Sequence, residues 1–307
     1  MNRVVRMSAA SNPVVVGFDG SPDGFAALRW AANDAEVRRV PLRVVRAWQW
    51  DDELAVPLRH LTPCGMEEVA RTRTEVTLRE LFPAVSLRPD LLDVVVSGDD
   101  PGRAILSATH DAAVAVLGRR RLSLRERLFV GSVGDFVLEH TACPTVVVPT
   151  GAGANIEAGS DTNPDQRFVV VGVDGSWEGR AALSFAAGEA ARRNATLTIL
   201  VAQFRSRPEE GRNREAFTVQ EEIEEQQRLL RDAAEDACRL PGMSRVPLEL
   251  QLGTDSAGPC LVSASAGGEL LVVGSHGRGW LGRLALGSVS RYCVQHADVP
   301  VAVVPRP

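Results

Sequence analysis

The chain contains an internal repeat, and this repeat constrains the fold more than any other feature. Residues 14–21 read Val-Val-Val-Gly-Phe-Asp-Gly-Ser, and residues 169–176, which lie 155 positions later, read Val-Val-Val-Gly-Val-Asp-Gly-Ser. The alanine-rich stretch that follows repeats at the same offset. After a one-residue slip, Gly131-Ser-Val returns as Gly287-Ser-Val. The sequence therefore predicts two copies of one domain.

The length of the chain agrees with a duplication, since 307 residues suit two domains of about 150 residues each. We assign residues 12–150 to the first domain and residues 167–307 to the second. Between them, residues 151–166 are rich in Gly, Ala, Asn and Asp and are typical of an exposed linker.

Within each half, valine-rich runs alternate with stretches of helical periodicity. Continuous apolar runs are typical of strands that are buried on both faces, as in a parallel sheet covered by crossover helices. The fold class is therefore α/β, with a doubly wound, Rossmann-like parallel sheet of five strands in each half. In the first half, we predict strands at residues 14–18, 42–48, 92–97, 113–117 and 145–148.

Composition narrows the function classes. Hydrophobic residues make up 45% of the chain and charged residues 24%, the balance of a soluble globular protein. A net charge of −5 disfavours a protein built to hold nucleic acid. No apolar run reaches the roughly 20 residues that a membrane span needs. The sequence contains no CxxC pair, the spacing that would suggest a metal site. We expect a cytoplasmic protein with no membrane partner.

Two groups of residues follow predicted strands, where open α/β sheets bind ligands. The first is Asp174-Gly175-Ser176, with its copy at Asp19, and it suits either a ligand contact or a plain turn. The second runs from Gly274 to Ser290 and contains two glycine clusters. Spacing alone leaves an anion site and a flexible surface loop equally open for this stretch.

The second group resembles the nucleotide motif of the universal stress protein family, Gly-x2-Gly-x9-Gly-Ser/Thr. Gly274, Gly277, Gly287 and Ser288 match every fixed position. The similarity covers both halves almost from end to end, including the opening Val-Val-Val-Gly-x-Asp-Gly-Ser.

The resemblance implies that ATP, or another adenine nucleotide, binds across the strand ends, accompanied by Mg²⁺ or Mn²⁺. It places the adenosine near Asp174 and the adenine edge near Ala202. Pairing of the domains through their last strands, residues 145–148 and 301–304, is also implied, with a homodimer as a further possibility. The residues expected to bind nucleotide are Asp174, Gly175, Ala202, Gly274, Gly277, Gly287, Ser288, Val289 and Ser290.

The first-half copy departs from the motif, because Arg121 stands where the second glycine belongs and Gly134 replaces Ser290. An arginine there would obstruct a close backbone approach to phosphate. Alternatively, the five arginines of residues 119–127 would attract phosphate, bind RNA or a partner, or form a solvated basic loop. We expect a weaker site there, formed by Asp19, Gly118, Gly131, Ser132 and Val133.

From these features we expect a regulatory protein that binds ATP in stress or energy limitation and does not catalyse a reaction. We expect it to pass its bound state on to protein partners. The sequence has no Walker lysine and no HExxH zinc motif. Two alternatives remain open: a slow ATP-hydrolysing enzyme, and an interaction module with vestigial nucleotide binding. His140 and His296 precede the last strand of each half, and we expect them to end helices rather than to catalyse.

Overall fold

The computed structural model describes residues 12–47, 63–81, 92–119, 132–151, 167–202, 219–277 and 286–306. The first half contains β1 (Val14–Gly17), α1 (Pro22–Arg38), β2 (Leu42–Ala47), α2 (Pro63–Leu81), β3 (Leu92–Ser97), α3 (Pro101–Ala108), β4 (Val114–Gly118), α4 (Ser132–His140) and β5 (Thr145–Val148). The second half contains β6 (Phe168–Gly172), α5 (Trp177–Arg193), β7 (Thr196–Ala202), α6 (Val219–Arg239), a 3₁₀ turn (Met243–Arg245), β8 (Leu248–Gly253), α7 (Ala257–Ala264), β9 (Leu270–Gly274), α8 (Ser288–His296) and β10 (Val301–Val304).

The strands form one continuous sheet in the order β3-β2-β1-β4-β5-β10-β9-β6-β7-β8. Neighbouring strands within each half are parallel, which confirms the predicted α/β fold with a five-stranded parallel sheet in each half. The two halves meet where β5 and β10 pair antiparallel, with Ala302 opposite Val146. This contact confirms the expected pairing of the two last strands.

The core follows from the residues that form the strands. Val14, Val15 and Val16 are each fully buried, so β1 is covered on both faces. The helix α1 packs against it with small side chains, among them Ala27 and Ala31, which let the helix lie close to the sheet. Every predicted strand of the first half lies within one residue of its expected position, although Phe18 follows β1 and Trp48 lies outside the described residues.

The first helix begins and ends where its sequence predicts. Ser21 Oγ accepts a hydrogen bond from the Gly24 backbone N–H at 3.0 Å and caps the helix, and Pro22 follows at the first position. Arg39 ends the helix in the left-handed conformation with φ of 58°. None of the described helices is both long enough and apolar enough to cross a bilayer. Except for Gly151, the predicted linker lies outside the described residues.

The helices α1 and α5 meet across the two halves around four charged side chains, which are related by the repeat. Asp34 and Arg38 on α1 correspond to Glu189 and Arg193 on α5. Arg193 Nη2 lies 2.5 Å from Asp34 Oδ1, and Arg38 makes the reciprocal bond to Glu189. We name these four residues the interface charge cluster; each of their side chains is at most 9% exposed.

Candidate functional site

The predicted site residues of the second half come together at the carboxyl ends of β6, β7 and β9. Asp174 follows β6, Ala202 ends β7, and Gly274 ends β9. The backbone N–H of Val173 donates to Leu200 O at 3.0 Å and thereby aligns the ends of the first two of these strands. This edge of the sheet is where parallel α/β folds bind ligands.

The Asp174-Gly175-Ser176 segment forms a tight turn before α5. Asp174 Oδ1 accepts hydrogen bonds from the Ser176 backbone N–H at 3.0 Å and from Ser176 Oγ at 2.5 Å. Ser176 Oγ in turn accepts from Gly179 N–H at 3.0 Å and caps the helix. Gly175 has φ of 79°, a conformation that favours glycine. The turn interpretation is therefore correct for Asp174 Oδ1, and the second carboxylate oxygen, Oδ2, takes no part in these hydrogen bonds.

That second oxygen lies against Gly277. A Cβ atom placed on Gly277 would be 2.6 Å from Asp174 Oδ2, closer than real Cβ contacts allow. Gly277 is exposed, whereas Asp174 is half-buried. Residues 275–277, the described start of the loop after β9, therefore lie so close to the turn after β6 that a side chain at position 277 would force the Asp174 carboxylate or the start of the loop to shift. This contact joins the two sequence groups into one site.

Gly274 has a packing role. A Cβ on Gly274 would be 2.9 Å from the backbone carbon of Glu178, in the first turn of α5. Gly118 in the first half shows the same relation, at 2.5 Å from Asp23 O. The first glycine of the motif therefore allows a helix to pack closely on the strand end in both halves, whatever binds there.

Gly287 and Ser288 begin α8 at the same edge. Gly287 N–H donates to Ser275 O at 2.8 Å, and a Cβ on Gly287 would be 3.1 Å from that same oxygen. No side chain of the residues that the structure describes caps this helix, and Ser288 is exposed. The first N–H groups of a helix have no partner within it and attract anions. The start of α8 therefore presents donors toward the strand ends.

The structure places Ser290 beneath the site rather than at its surface. Ser290 is 3% exposed, and its Oγ donates to Gly274 O at 2.5 Å. The hydroxyl thus fastens the start of α8 to the end of β9. The side chain of Val289 packs half-buried against the core, so only the backbone of this residue remains as a candidate ligand contact.

The first half keeps part of this arrangement. Asp19 makes the same turn, accepting from Ser21 N–H at 2.9 Å and from Ser21 Oγ at 2.6 Å, but it is exposed. Ser132 and Val133 begin α4, as Ser288 and Val289 begin α8. Arg121 and Gly131 lie outside the described residues, so the weaker site expected there stays a prediction.

Arg119, which lies in the basic run of the first half, has a role that its sequence pattern did not predict. Arg119 Nη1 donates to the carbonyl oxygens of Val294, Gln295 and Ala297 at 3.2, 3.2 and 2.6 Å. These groups end α8, so an arginine of the first half caps the helix that begins at the second-half site. The signal available in the sequence was that the repeat has Ser275 at this position.

Both halves of the chain match one known protein family. The model of the universal stress protein family matches residues 11–149 and again residues 167–305. Universal stress protein Rv2005c of Mycobacterium tuberculosis is 31% identical over 299 residues, which cover 94% of this chain and 96% of that protein. Universal stress protein Rv2623 of the same organism is 30% identical over 311 residues, covering 94% and 95%. A solved universal stress protein from Archaeoglobus fulgidus has the same fold, with a TM-score of 0.61 at 18% identity over 96% of both chains.

Proposed function

The chain belongs to the universal stress protein family, and on that premise we propose that its second half binds ATP, or another adenine nucleotide, as a regulatory ligand. The observation that carries the proposal is the contact between Gly277 and Asp174 Oδ2, where a Cβ would come within 2.6 Å. It brings residues 275–277, the described start of the motif loop, next to the turn after the first strand of this half. The uncapped start of α8 lies at the same edge.

The residues present suit the parts of a nucleotide. Asp174 offers a carboxylate oxygen to ribose hydroxyls, and the backbone of Ala202 lies at the same sheet edge for the adenine. Ser288 and the first N–H groups of α8 suit phosphate oxygens. Ser290 and Gly274 hold the start of this helix in place, as described above.

A divalent cation, Mg²⁺ or Mn²⁺, would enter with the phosphates and offset part of their charge. Among the described residues, no three His, Cys, Asp or Glu side chains gather as a metal site. We therefore assign no protein cage to the cation and expect the nucleotide to supply most of its ligands.

We further propose that the bound nucleotide acts as a signal and not as a substrate. The chain would report nucleotide level through the helix α8, whose other end is held by Arg119 from the first half. Turnover of ATP faster than about 1 per second, the low end of ordinary enzymes, would contradict this part of the proposal.

The test is a titration of the nucleotide-free protein with Mg-ATP, comparing Gly277→Val with the wild type. A valine would meet Asp174 and displace the loop, so we expect at least a tenfold loss of affinity at an unchanged unfolding temperature. Ser263→Ala, an exposed serine on α7, is the matched control and should bind as the wild type does. Unchanged binding by Gly277→Val would place the nucleotide elsewhere.

A further inference from the structure

The first half contains a cavity of about 400 Å³ between the ends of β1 and β2 and the helix α2. Phe18 and Phe25 line it, and their rings meet edge to face with centroids 5.2 Å apart. Arg46, Arg73 and Val76 lie around the same space. We propose that this cavity binds a small organic anion that carries an aromatic ring, a ligand different from the nucleotide of the second half.

Arg46 is held in position before any ligand arrives. Its Nη1 donates to Thr74 Oγ1 at 3.2 Å, and Thr74, fully buried, donates its hydroxyl to Ala70 O at 2.8 Å. The guanidinium carbon lies 5.9 Å from the centroid of the Phe18 ring. Because the planar fork of arginine is fixed on these two sides, binding an anion costs little side-chain entropy.

The other terminal nitrogen of Arg46 faces the turn after β1. A Cβ placed on Gly20 would be 4.0 Å from Arg46 Nη2, and Gly20 has φ of 83°. The bare backbone of this turn therefore leaves room beside the guanidinium. An anion entering the cavity would reach this nitrogen without displacing a side chain of residue 20.

Among the described residues, the charges that act on Arg46 are those of Arg73 and Asp19, so two arginines share one carboxylate. Burial lowers the pKa of Arg46, the neighbouring Arg73 lowers it further, and Asp19 opposes them. Asp19 Oδ1 also accepts two hydrogen bonds from Ser21. An anion between the two arginines would reduce their mutual repulsion and would form charge-assisted hydrogen bonds.

The remaining walls suit an aromatic body. Val76 is 43% exposed at the cavity, and Phe25 is half-buried there. Thr72 and Thr77 add hydroxyls at its edge. Small-molecule pockets are typically about 300–1,000 Å³, largely apolar, with a few polar groups that fix orientation.

Three of the residues that line this cavity have a different type at the equivalent position of the second half. At the repeat-equivalent positions, the second half has Val173 for Phe18, Arg180 for Phe25 and Val201 for Arg46. Val201 is 2% exposed, so the end of β7 presents no cation where β2 presents one. The half with the altered nucleotide motif is therefore also the half in which these aromatic and basic residues line a cavity.

The experiment is a fluorescence titration of the full chain with 8-anilinonaphthalene-1-sulfonate, an aromatic anion that brightens in apolar sites. We expect Arg46→Gln and Arg73→Gln each to weaken binding about tenfold or more, as loss of a hydrogen bond to a charged group does. Arg73 is exposed, so its variant should fold even if Arg46→Gln does not. The matched control is Arg103→Gln, an exposed arginine on α3, which should leave binding unchanged.

Two further results would overturn the proposal. If N-phenyl-1-naphthylamine, which has no sulfonate, bound as tightly and lost nothing in Arg73→Gln, the cavity would not recognise an anion. Displacement of the probe from the wild type by excess Mg-ATP would make the cavity part of a first-half nucleotide site. Binding that survives Mg-ATP and fails in the two arginine variants supports a separate site, whether or not the second half binds nucleotide.

Discussion

Arg193 of the second half and Asp34 of the first half form a buried ion pair with a nitrogen–oxygen distance of 2.5 Å. The pair has a repeat-related counterpart in Arg38 and Glu189. Each arginine also lies over an aromatic ring of the other half, Arg193 over Trp30 at 5.2 Å and Arg38 over Phe185 at 5.8 Å. The two domains are therefore held together by these reciprocal ion pairs and arginine–aromatic contacts, as well as by the β5–β10 pairing.

The first prediction is that the two acids of the interface charge cluster contribute unequally to the free energy of unfolding. Glu189 bonds Arg38, Arg192 and Arg193, whereas Val37 replaces the third arginine near Asp34. We expect Glu189→Gln to lower the free energy of unfolding by about 3–5 kcal/mol, the cost of breaking a buried ion pair. Asp34→Asn should cost less, because Asp34 pairs with two arginines where Glu189 pairs with three. Urea denaturation of both variants measures the difference, and equal costs would contradict the account.

The same asymmetry predicts opposite pH dependences. Burial alone would raise the pKa of Glu189, but Arg193, Arg38 and Arg192 hold the pKa below its usual value. Burial raises the pKa of Asp34, and the charge of Glu189 adds to the rise against the pull of Arg193. A lowered pKa gives stability that is present above the unfolded value near 4.5 and is lost as pH falls. A raised pKa gives stability that is lost as pH rises above 3.8.

The measurement is urea stability across pH 3 to about 7 for the wild type and both variants. The stability that Glu189→Gln loses relative to the wild type should shrink as pH falls. The loss caused by Asp34→Asn should instead grow as pH falls. If the stability losses of the two variants changed with pH in the same direction and with the same slope, the third arginine would not make the pKa values of the two acids shift in opposite directions.

Much of the fold was predictable from the sequence. The valine runs predict buried strands, and the repeat predicts that the same domain occurs twice. The interface charge cluster was not predictable, since Asp34 and Arg38 have the spacing of an exposed helical ion pair. Only the packing of α1 on α5 buries them. Gly277 and Gly287 of the motif stand where a side chain would come too close to a neighbour, to Asp174 Oδ2 at position 277 and to Ser275 O at position 287. The buried position of Ser290 depends on the distance between α8 and β9, which no local pattern encodes.

Another prediction concerns Arg119 as a cap of α8. Arg119→Gln removes the charge-assisted hydrogen bonds to three carbonyl groups at the helix end, so we expect a loss of about 1–3 kcal/mol of stability. Hydrogen exchange should quicken in the last turn of α8, near Val294, and not in α7. Arg29→Gln, an exposed arginine on α1, is the control substitution. If the protection of α8 against hydrogen exchange were unchanged in Arg119→Gln, Arg119 would not couple the first half to this helix.

Thiol reactivity offers a separate check of the packing. Burial raises the pKa values of the Cys143 and Cys293 thiols to about 12, so neither forms thiolate near neutral pH. Cys238 is exposed on α6. With a disulfide reagent on the native protein, Cys238→Ser should lose one fast equivalent, while Cys143→Ser and Cys293→Ser should lose none. A fast equivalent lost in Cys293→Ser would mean that the packing beneath α8 is wrong.

The most direct test of the central claim is the stoichiometry of Mg-ATP binding, measured by calorimetry on the nucleotide-free chain. We expect one site per chain, because Gly277 lets the start of the loop lie beside Asp174, whereas Arg121 stands at the equivalent position of the first half. Asp174→Asn, whose amide keeps the turn, should weaken that site at least tenfold, and Asp19→Asn should have little effect. Two equal sites, or a larger effect of Asp19→Asn, would contradict the assignment to the second half, and absence of binding would refute nucleotide sensing.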